Sequence, residues 1–456
     1  MTKPPLRFNA FTMNCVSHIT HGLWRHPDTR QTEYTDLDTW VELAKILERG
    51  TFDAVFLADV VGVYETYKGS RDTAVRQGLQ IPVNDPSLLI PAMAYATEHL
   101  GFAFTQSILQ EQPYNFARRI STLDHLTKGR VGWNIVTSYL EGAGRNLGYG
   151  GLPLHADRYK RAHEYVDVVY KLLEGSWEDG AVLRDKENLV YADPAKIHDI
   201  NHVGEFYDVV GPHLSEPSPQ RVPLLFQAGS SDDGRDFASS HAEAVFLGAF
   251  SPEGAAAQIK DVRARAVAKG RAAGDIVFFQ GLTLIIGSTE EEARRKIAEY
   301  EEYVSFEGFA AHMSGSIGVD LGAIDFDAPV GEIDSNAVKG FARSLIEAAP
   351  DKSWTFGEVL RHRAWSRPVA GTPEQIADEL ETWRDAGVDG INVMYVTTPG
   401  TFADFADHLA PTLRQRGLLQ KEYAPGTLRQ KLFGADARLP HTHPAAAYRR
   451  NQIVAV

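Results

Sequence analysis

Asn134, Thr137 and Ser138 follow directly on the apolar residues Val131, Trp133, Ile135 and Val136, inside the stretch 128–148. A buried strand that empties into small polar and glycine-rich positions is how an α/β enzyme presents chemistry at a strand's C-terminal end. Side chains of these types hold a carbonyl or a phosphate, although a plain polar turn after a core strand has the same appearance. Further polar residues stand just past other strand-like runs: Asn14, Cys15 and His18; Asp59; Ser107 and Gln110; and Gln227, Gly229, Ser230 and Ser231. Small hydroxyls and amides dominate this set.

Several groups within it have a specific chemical reading. Gln227-Ala-Gly-Ser-Ser231, followed by Gly234 and Arg235, can cradle a phosphate at a helix N-terminus, with an ordinary turn as the alternative. His155-Ala-Asp-Arg-Tyr159 opens a helical stretch, so Arg158 and Tyr159 reach the same phosphate across a mouth, or else Asp157 simply caps the helix. Cys15 and His18 pair as nucleophile and base, against the alternative of a lone thiol buried in the core. His312, in Ala310-Ala-His-Met313, can swing over the mouth or sit on the surface. His18-Ile-Thr-His21 has metal-pair spacing without further ligands beyond Cys15, so no metal is expected. Gly142-Ala-Gly144 with Gly148 misses the dinucleotide-binding spacing.

These residues need a scaffold that brings strand ends together. Strand-length apolar runs occur at 8–13, 54–58, 102–107, 131–137, 224–228, 244–248, 276–286 and 391–396. Between them Leu37, Trp40, Val41, Ala44 and Leu47 repeat at helical spacing, as do Ala162, Tyr165, Val166, Val169 and Leu173. Capping boxes at Ser288-Thr-Glu-Glu291 and Thr372-Pro-Glu-Gln375 start two more helices. Eight alternating β/α units predict an α/β fold, a closed TIM (β/α)8 barrel forming a single domain over residues 1–456. Residues 176–220 and 303–370 break the rhythm as two large loop insertions, of the kind that cover an active-site mouth or make subunit contacts. Residues 415–456 form a C-terminal arm expected on a neighbouring subunit or on the barrel's exterior.

Composition narrows the function class. The chain has 456 residues, 60 acidic against 46 basic, for a net charge of −14, which argues against nucleic acid as a partner. A single cysteine excludes an internal disulfide and fits a reducing compartment. The opening residues lack a signal peptide's apolar run, and the longest apolar run, at 276–286, is too short to span a bilayer. A cytoplasmic protein that does not enter a membrane is expected.

Longer motifs carry a family resemblance. Asn9-Ala-Phe-Thr-Met-Asn-Cys-Val-Ser-His18, Gly22-Leu-Trp-Arg-His-Pro27, Phe56-Leu-Ala-Asp-Val-Val-Gly62, Ile81-Pro-Val-Asn-Asp-Pro86, Ser121-Thr-Leu-Asp-His-Leu-Thr-Lys-Gly-Arg130, Trp133-Asn-Ile-Val-Thr-Ser138 and His443-Pro-Ala-Ala-Ala-Tyr448 resemble the bacterial luciferase-like, two-component flavin monooxygenases. The branch is that of the long-chain alkane, dimethyl sulfide, dibenzothiophene sulfone and nitrilotriacetate enzymes, and the first, second and last motifs look most like the alkane enzyme. The resemblance implies reduced FMN (FMNH2) as co-substrate with O2, a separate NAD(P)H:flavin reductase as partner, and a homodimer or homotetramer. It implies oxygen addition at the flavin C4a and oxidation of a hydrophobic small molecule, with terminal hydroxylation of a long-chain alkane first and an organosulfur substrate second. It places Asp59, Ser107, Asn134, Thr137 and Ser138 along the isoalloxazine and ribityl chain, and His155, Arg158, Tyr159, Gly229, Ser230 and Ser231 at the phosphate. Cys15, His18, Tyr64, Gln80 and His312 surround the reacting carbon and the substrate. Tyr139 stands where the alkane branch has histidine, and a phenol does not shuttle protons near pH 7 as imidazole does. The wider superfamily also contains deazaflavin-dependent reductases, and a non-catalytic flavin carrier is a further alternative.

Overall fold

The computed structural model describes residues 3–333, 352–365 and 368–450. Residues 334–351 and 366–367 of the second expected insertion and 451–456 of the expected arm lie outside the described residues. All eight expected strands are present: β1 Arg7–Met13, β2 Ala54–Ala58, β3 Gly101–Ser107, β4 Val131–Val136, β5 Leu224–Gln227, β6 Ala244–Leu247, β7 Val277–Ile286 and β8 Gly390–Met394. Every neighbouring pair is parallel, and β8 pairs with β1, Phe8 opposite Ile391, which closes the TIM barrel. Strands buried by helices outside and by side chains inside must be apolar on both faces, which is why the runs were visible. A further short strand, Val369–Gly371, extends β7 by pairing with Leu284–Ile286.

Inward-facing residues fill the barrel. Phe56, Phe226 and Phe279 are buried there, while Phe11, Phe246 and Met394 lie nearer the strands' C-terminal ends and keep part of their surface open. Phe11 and Phe246 meet edge to face, with ring centroids 5.0 Å apart. These three side chains form an apolar floor beneath the mouth.

The other end of the barrel is plugged, and here the expectation for the arm needs correcting. The helix Leu428–Phe433 lies inside the N-terminal opening, with Leu428 and Leu432 packed against the same interior cluster as Phe56 and Phe226. Burial of two leucines gains roughly 1.5–3 kcal/mol each. A part of the arm further on, Pro444–Tyr448, does lie on the outside, where His443 bonds to the carbonyl of His241.

Both capping expectations are testable against the geometry. Thr372 and Gln375 form the reciprocal box with Pro373 at the first helical position. The other helix starts one residue later than expected, at Glu290, so its cap is Thr289, which accepts from the Glu292 N–H at 3.1 Å. The Glu292 carboxylate reaches past it to the N–H of Ser288.

The first insertion does not cover the mouth, which was one of its two expected roles. Residues 176–220 form two small hairpins, Val182–Asp185 with Val190–Ala192 and His202–Val203 with Asp208–Val209. They pack along the helices Pro113–Leu126 and His155–Tyr170: Glu164 accepts from the N–H groups of Phe206 and Tyr207, and His213 bonds to Ser121. This segment connects the helix after β4 to the start of β5, so it emerges at the end away from the mouth. The second insertion does reach the mouth, through the helix Phe306–Ile317.

Candidate functional site

At the C-terminal ends of β2, β3 and β4 lies a cleft lined by Asp59, Val60, Val61, Thr105, Ser107, Gln110, Val136, Ser138, Tyr139 and Leu140. Ser107 at the end of β3 and Ser138 just past β4 share a hydroxyl hydrogen bond of 2.7 Å. Ser138 holds a left-handed backbone, φ 62°, which a non-glycine residue adopts at a cost. Asn134 donates to Thr105 Oγ1 at 2.9 Å, while its own carbonyl oxygen is buried with no protein partner among the described residues. Asn14 Oδ1 and His18 Nδ1 are left in the same condition. Buried polar atoms left without a protein partner are ones that a ligand or a water can satisfy.

Asp59 sits on the cleft wall with its carboxyl pushed up from 3.8 to about 7, first by loss of hydration and then by the nearby Asp85. Between those values the folded protein holds a proton that the unfolded chain has lost. Stability therefore falls as pH rises through that window and levels off above about 7. The Asp59→Asn variant has no such proton to lose, so its melting temperature should exceed that of wild type by more at pH 8 than at pH 5. Equal differences at the two pH values would remove Asp59 as the source.

Around the corner of the mouth, Ser231 caps the helix Asp232–His241 by accepting from the Gly234 N–H. Gly229 and Gly234 lie so close to Tyr159 that a Cβ on either would come within 2.9 Å of its hydroxyl oxygen. Burial raises the Tyr159 phenol, and Ser231 and Thr137 beside it act in the opposite direction. His155 stands at the first turn of its helix, paired with Asp233 at 3.0 Å, and that helix has no side-chain cap, so Asp157 does not cap it. Arg158 turns its guanidinium to the carbonyl of Pro153 at 2.5 Å, leaving Nε buried and unpartnered. Ser230 is exposed beside these groups. Of the six phosphate-site residues suggested by the sequence, His155, Tyr159, Gly229 and Ser231 meet at the N-terminus of the helix Asp232–His241, with Ser230 exposed in the same loop, whereas the Arg158 guanidinium is turned to Pro153.

On the opposite side, the helix Phe306–Ile317 covers the β1 exit loop. Gly22, at φ 93°, lets that loop pass against the backbone of Tyr303 and Ser305, where a Cβ would lie 2.2 Å from the Tyr303 oxygen. The Ser305 N–H then donates to the carbonyl of His21. This docking places His312 against His21, with Nδ1 2.9 Å from His21 Nε2, and its ring edge-on to Tyr64. The Tyr64 hydroxyl donates to Gln80 Oε1 at 3.1 Å and meets the hydroxyl of Tyr139 at very short range. Gln80, itself at φ 46°, donates to the carbonyl of His18. Tyr139 leaves its ring half open to the mouth while its hydroxyl end is enclosed between Tyr64 and Ser316.

Burial decides the protonation states. The Cys15 thiol is driven far up by loss of hydration, so it stays a thiol and is no ready nucleophile. Loss of hydration, aided by the neighbouring His312, pushes His18 down to about 3. His312 retains some open surface, yet its ring is desolvated enough to fall to about 4. Both imidazoles are neutral at pH 7. Among the described residues no group of three or more His, Cys, Asp or Glu is arranged to hold a metal ion, and no helix is long and apolar enough to cross a membrane.

The sequence pattern of luciferase-like monooxygenases matches residues 16–390. The chain is 48% identical to the long-chain alkane monooxygenase of Geobacillus thermodenitrificans (strain NG80-2), over 98% of this chain and 99% of that one. The chain belongs to the luciferase-like monooxygenase family. It is also 48% identical to the dimethyl-sulfide monooxygenase of Hyphomicrobium sulfonivorans, over 98% of this chain and 94% of the relative. Among solved structures, a riboflavin lyase with modified FMN and substrate riboflavin superposes with a TM-score of 0.88 at 38% identity, covering 98% of this chain and all of that one. As a family member the protein is a monooxygenase on a TIM barrel.

Signals missed in the sequence are recognisable afterwards. Phe11, Phe246 and Met394 face inward near the strand ends and would have been found by extending the alternation inward from the mouth. Ser17 and His21, four residues apart, are joined by a 2.8 Å hydrogen bond. Their relation to His312 is a tertiary fact.

Proposed function

We propose that this monooxygenase is the oxygenase of a two-component system: it takes FMNH2 from a separate NAD(P)H:flavin reductase and uses O2 to oxidise a hydrophobic small molecule. Terminal hydroxylation of a long-chain alkane is the first reading. The observation that carries the flavin assignment is the cradle in which Gly229 and Gly234 leave just enough room beside Tyr159, at the N-terminus of the helix Asp232–His241. His155, Arg158, Tyr159, Gly229, Ser230 and Ser231 would hold the phosphate, and Asp59, Ser107, Asn134, Thr137 and Ser138 the ribityl chain and ring. Bound reduced FMN supplies the electrons that activate O2.

The chain's own residues supply the setting. The orphaned Asn134 and Asn14 oxygens accept from a polar ring edge, and Phe11, Phe246 and Met394 give an apolar floor. The helix Phe306–Ile317 shields the mouth from water, which limits wasteful breakdown of a reactive species. His312, neutral and beside Tyr64, offers a hydrogen bond to an oxygen in the mouth. The helix Glu141–Asn146 uses Gly144 to pack on Gly151, where a Cβ would lie 2.2 Å from the carbonyl oxygen. That use fits a structural role for Gly144.

An organosulfur substrate is the second reading, favoured by Tyr139, whose hydroxyl ties the β4 exit to Tyr64 where the alkane branch has histidine. The test is rapid mixing of anaerobic protein and FMNH2 with ¹⁸O₂-saturated buffer, with n-alkane, with dimethyl sulfide and with neither. Faster decay of the flavin signal with alkane and a labelled primary alcohol support the first reading. Labelled sulfoxide or sulfur-cleavage product from dimethyl sulfide supports the second, and no labelled product from either substrate overturns both.

A separate check addresses the cradle. In Gly229→Ala the new methyl group would lie 2.4 Å from Gln227 Nε2 and 2.8 Å from the Tyr159 hydroxyl. The affinity for oxidised FMN should drop roughly tenfold or more, about 1.4 kcal/mol, by fluorescence titration. An unchanged Kd would place the phosphate elsewhere.

A further inference from the structure

Behind His312 runs a chain of buried groups that ends blindly. Ser17 is completely buried, and its hydroxyl makes one hydrogen bond among the described residues, to His21 Nδ1 at 2.8 Å. His21 is also buried, and its other ring nitrogen lies 2.9 Å from His312 Nδ1. His312 Nε2, the last atom of the chain, has no hydrogen bond within the described residues, and part of the residue's surface remains open. The sequence Ser17-His-Ile-Thr-His21 places the first two members on the β1 exit loop, and the helix Phe306–Ile317 brings the third.

A hydroxyl can donate or accept, and a neutral imidazole has one donor and one acceptor, so the whole chain has two possible polarities. In one, Ser17 donates to His21 Nδ1, His21 donates from Nε2 to His312 Nδ1, and His312 carries its proton on Nε2. In the other every proton is on the opposite side, and the Ser17 hydrogen has no acceptor in a fully buried position. A buried donor left unmade is the more costly arrangement.

We infer that Ser17 and His21 are positioning residues that fix the tautomer of His312, so that His312 presents an Nε2–H donor, and not a basic lone pair, to an oxygen atom of the ligand in the mouth. Ser17 starts the polarity and His21 transmits it; neither needs to touch the ligand. Both rings remain neutral because burial pushes His21 well below the usual imidazole range and His312 down to about 4. The arrangement does for His312 what an orienting carboxylate does for the histidine of a hydrolase, without placing a negative charge in the site. The tautomer assignment stands on the ligand-free protein alone; its catalytic consequence rests on the monooxygenase reading above.

The test uses the full chain with ¹⁵N-labelled histidine and two-bond ¹⁵N–¹H correlation spectra, the signals assigned through His21→Gln and His312→Gln. Wild type should show His21 and His312 as Nε2–H tautomers at pH 7. A proton on Nδ1 of either ring would overturn the inference. In Ser17→Ala the two rings should lose the fixed tautomer and show averaged shifts, while Ser17→Thr, which keeps the hydroxyl, should retain it; an unaltered spectrum in Ser17→Ala would also overturn it. In turnover, Ser17→Ala should lower kcat roughly tenfold with KM little changed, and Ser17→Thr should recover most of the loss. If wild type turns over no substrate while the tautomers are as stated, the functional reading fails and the positioning inference survives.

Discussion

Replacing Arg429 by methionine should destabilise the protein by about 3–5 kcal/mol, the largest structural effect expected of any single substitution here. The guanidinium is almost fully buried at the plugged end of the barrel and bonds both oxygens of the equally buried Glu243, at 2.6 and 2.8 Å. Its remaining hydrogens go to the carbonyls of Gln220 and Ala437 and, from one nitrogen, of Val222 and Pro223. Methionine fills much of the volume but strands the carboxylate, whose only other hydrogen-bond donor among the described residues is the Leu225 N–H. A chain of this size should lose roughly 3–5 °C in melting temperature. The double variant Arg429→Met/Glu243→Gln removes the stranded charge and should recover much of the loss. Thermal inactivation of the three proteins checks this, and an Arg429→Met midpoint equal to wild type would show that the buried ion pair adds nothing to stability.

The same residue shows where sequence reading stops. Thr427 and Gln430 form a capping box, so the short helix was detectable in principle. That it enters the barrel was not, because the ion pair holding it joins residues 186 positions apart. The eight barrel strands were legible for the opposite reason: a parallel strand covered on both faces has to be apolar nearly throughout, and that is a local property. The position of 176–220 follows from connectivity alone, since a segment between a helix and the next strand leaves the barrel at the end away from the mouth.

For the site, strand-end polar residues were legible as a class, and the structure gathers Asp59, Ser107, Ser138 and Tyr139 around one cleft. The left-handed backbones of Ser138 and Gln80 were not, because neither residue type advertises a positive φ. Nor was the pairing of His312 with His21, which spans 291 residues and depends on Gly22 admitting the covering helix. Two histidines spaced like metal ligands are instead separate parts of the mouth. His18 packs its ring against Phe11, and His21 backs His312.

That arrangement makes His312 the side chain whose loss should cost most in turnover. His312→Ala should reduce kcat by about 10²–10⁴-fold, the range of a positioned proton or hydrogen-bond donor. Two separate losses contribute: the donor in the mouth disappears, and the Nε2 atom of His21 is left unpartnered beneath a new gap beside Tyr64. His312→Gln keeps an N–H and an oxygen on a side chain of similar reach, so it should retain more activity than the alanine variant. The pH profile discriminates further. Because His312 loses its proton near 4, its neutral donor form is fully present above that value and is lost only as pH falls through about 4. Wild type and His312→Gln should therefore show no difference in the shape of kcat against pH between 6 and 8. An acidic limb near 6.5 present in wild type and absent in His312→Gln would mean that the ring titrates as an ordinary imidazole, and that it works in the mouth as an acid or base instead of as a fixed neutral donor.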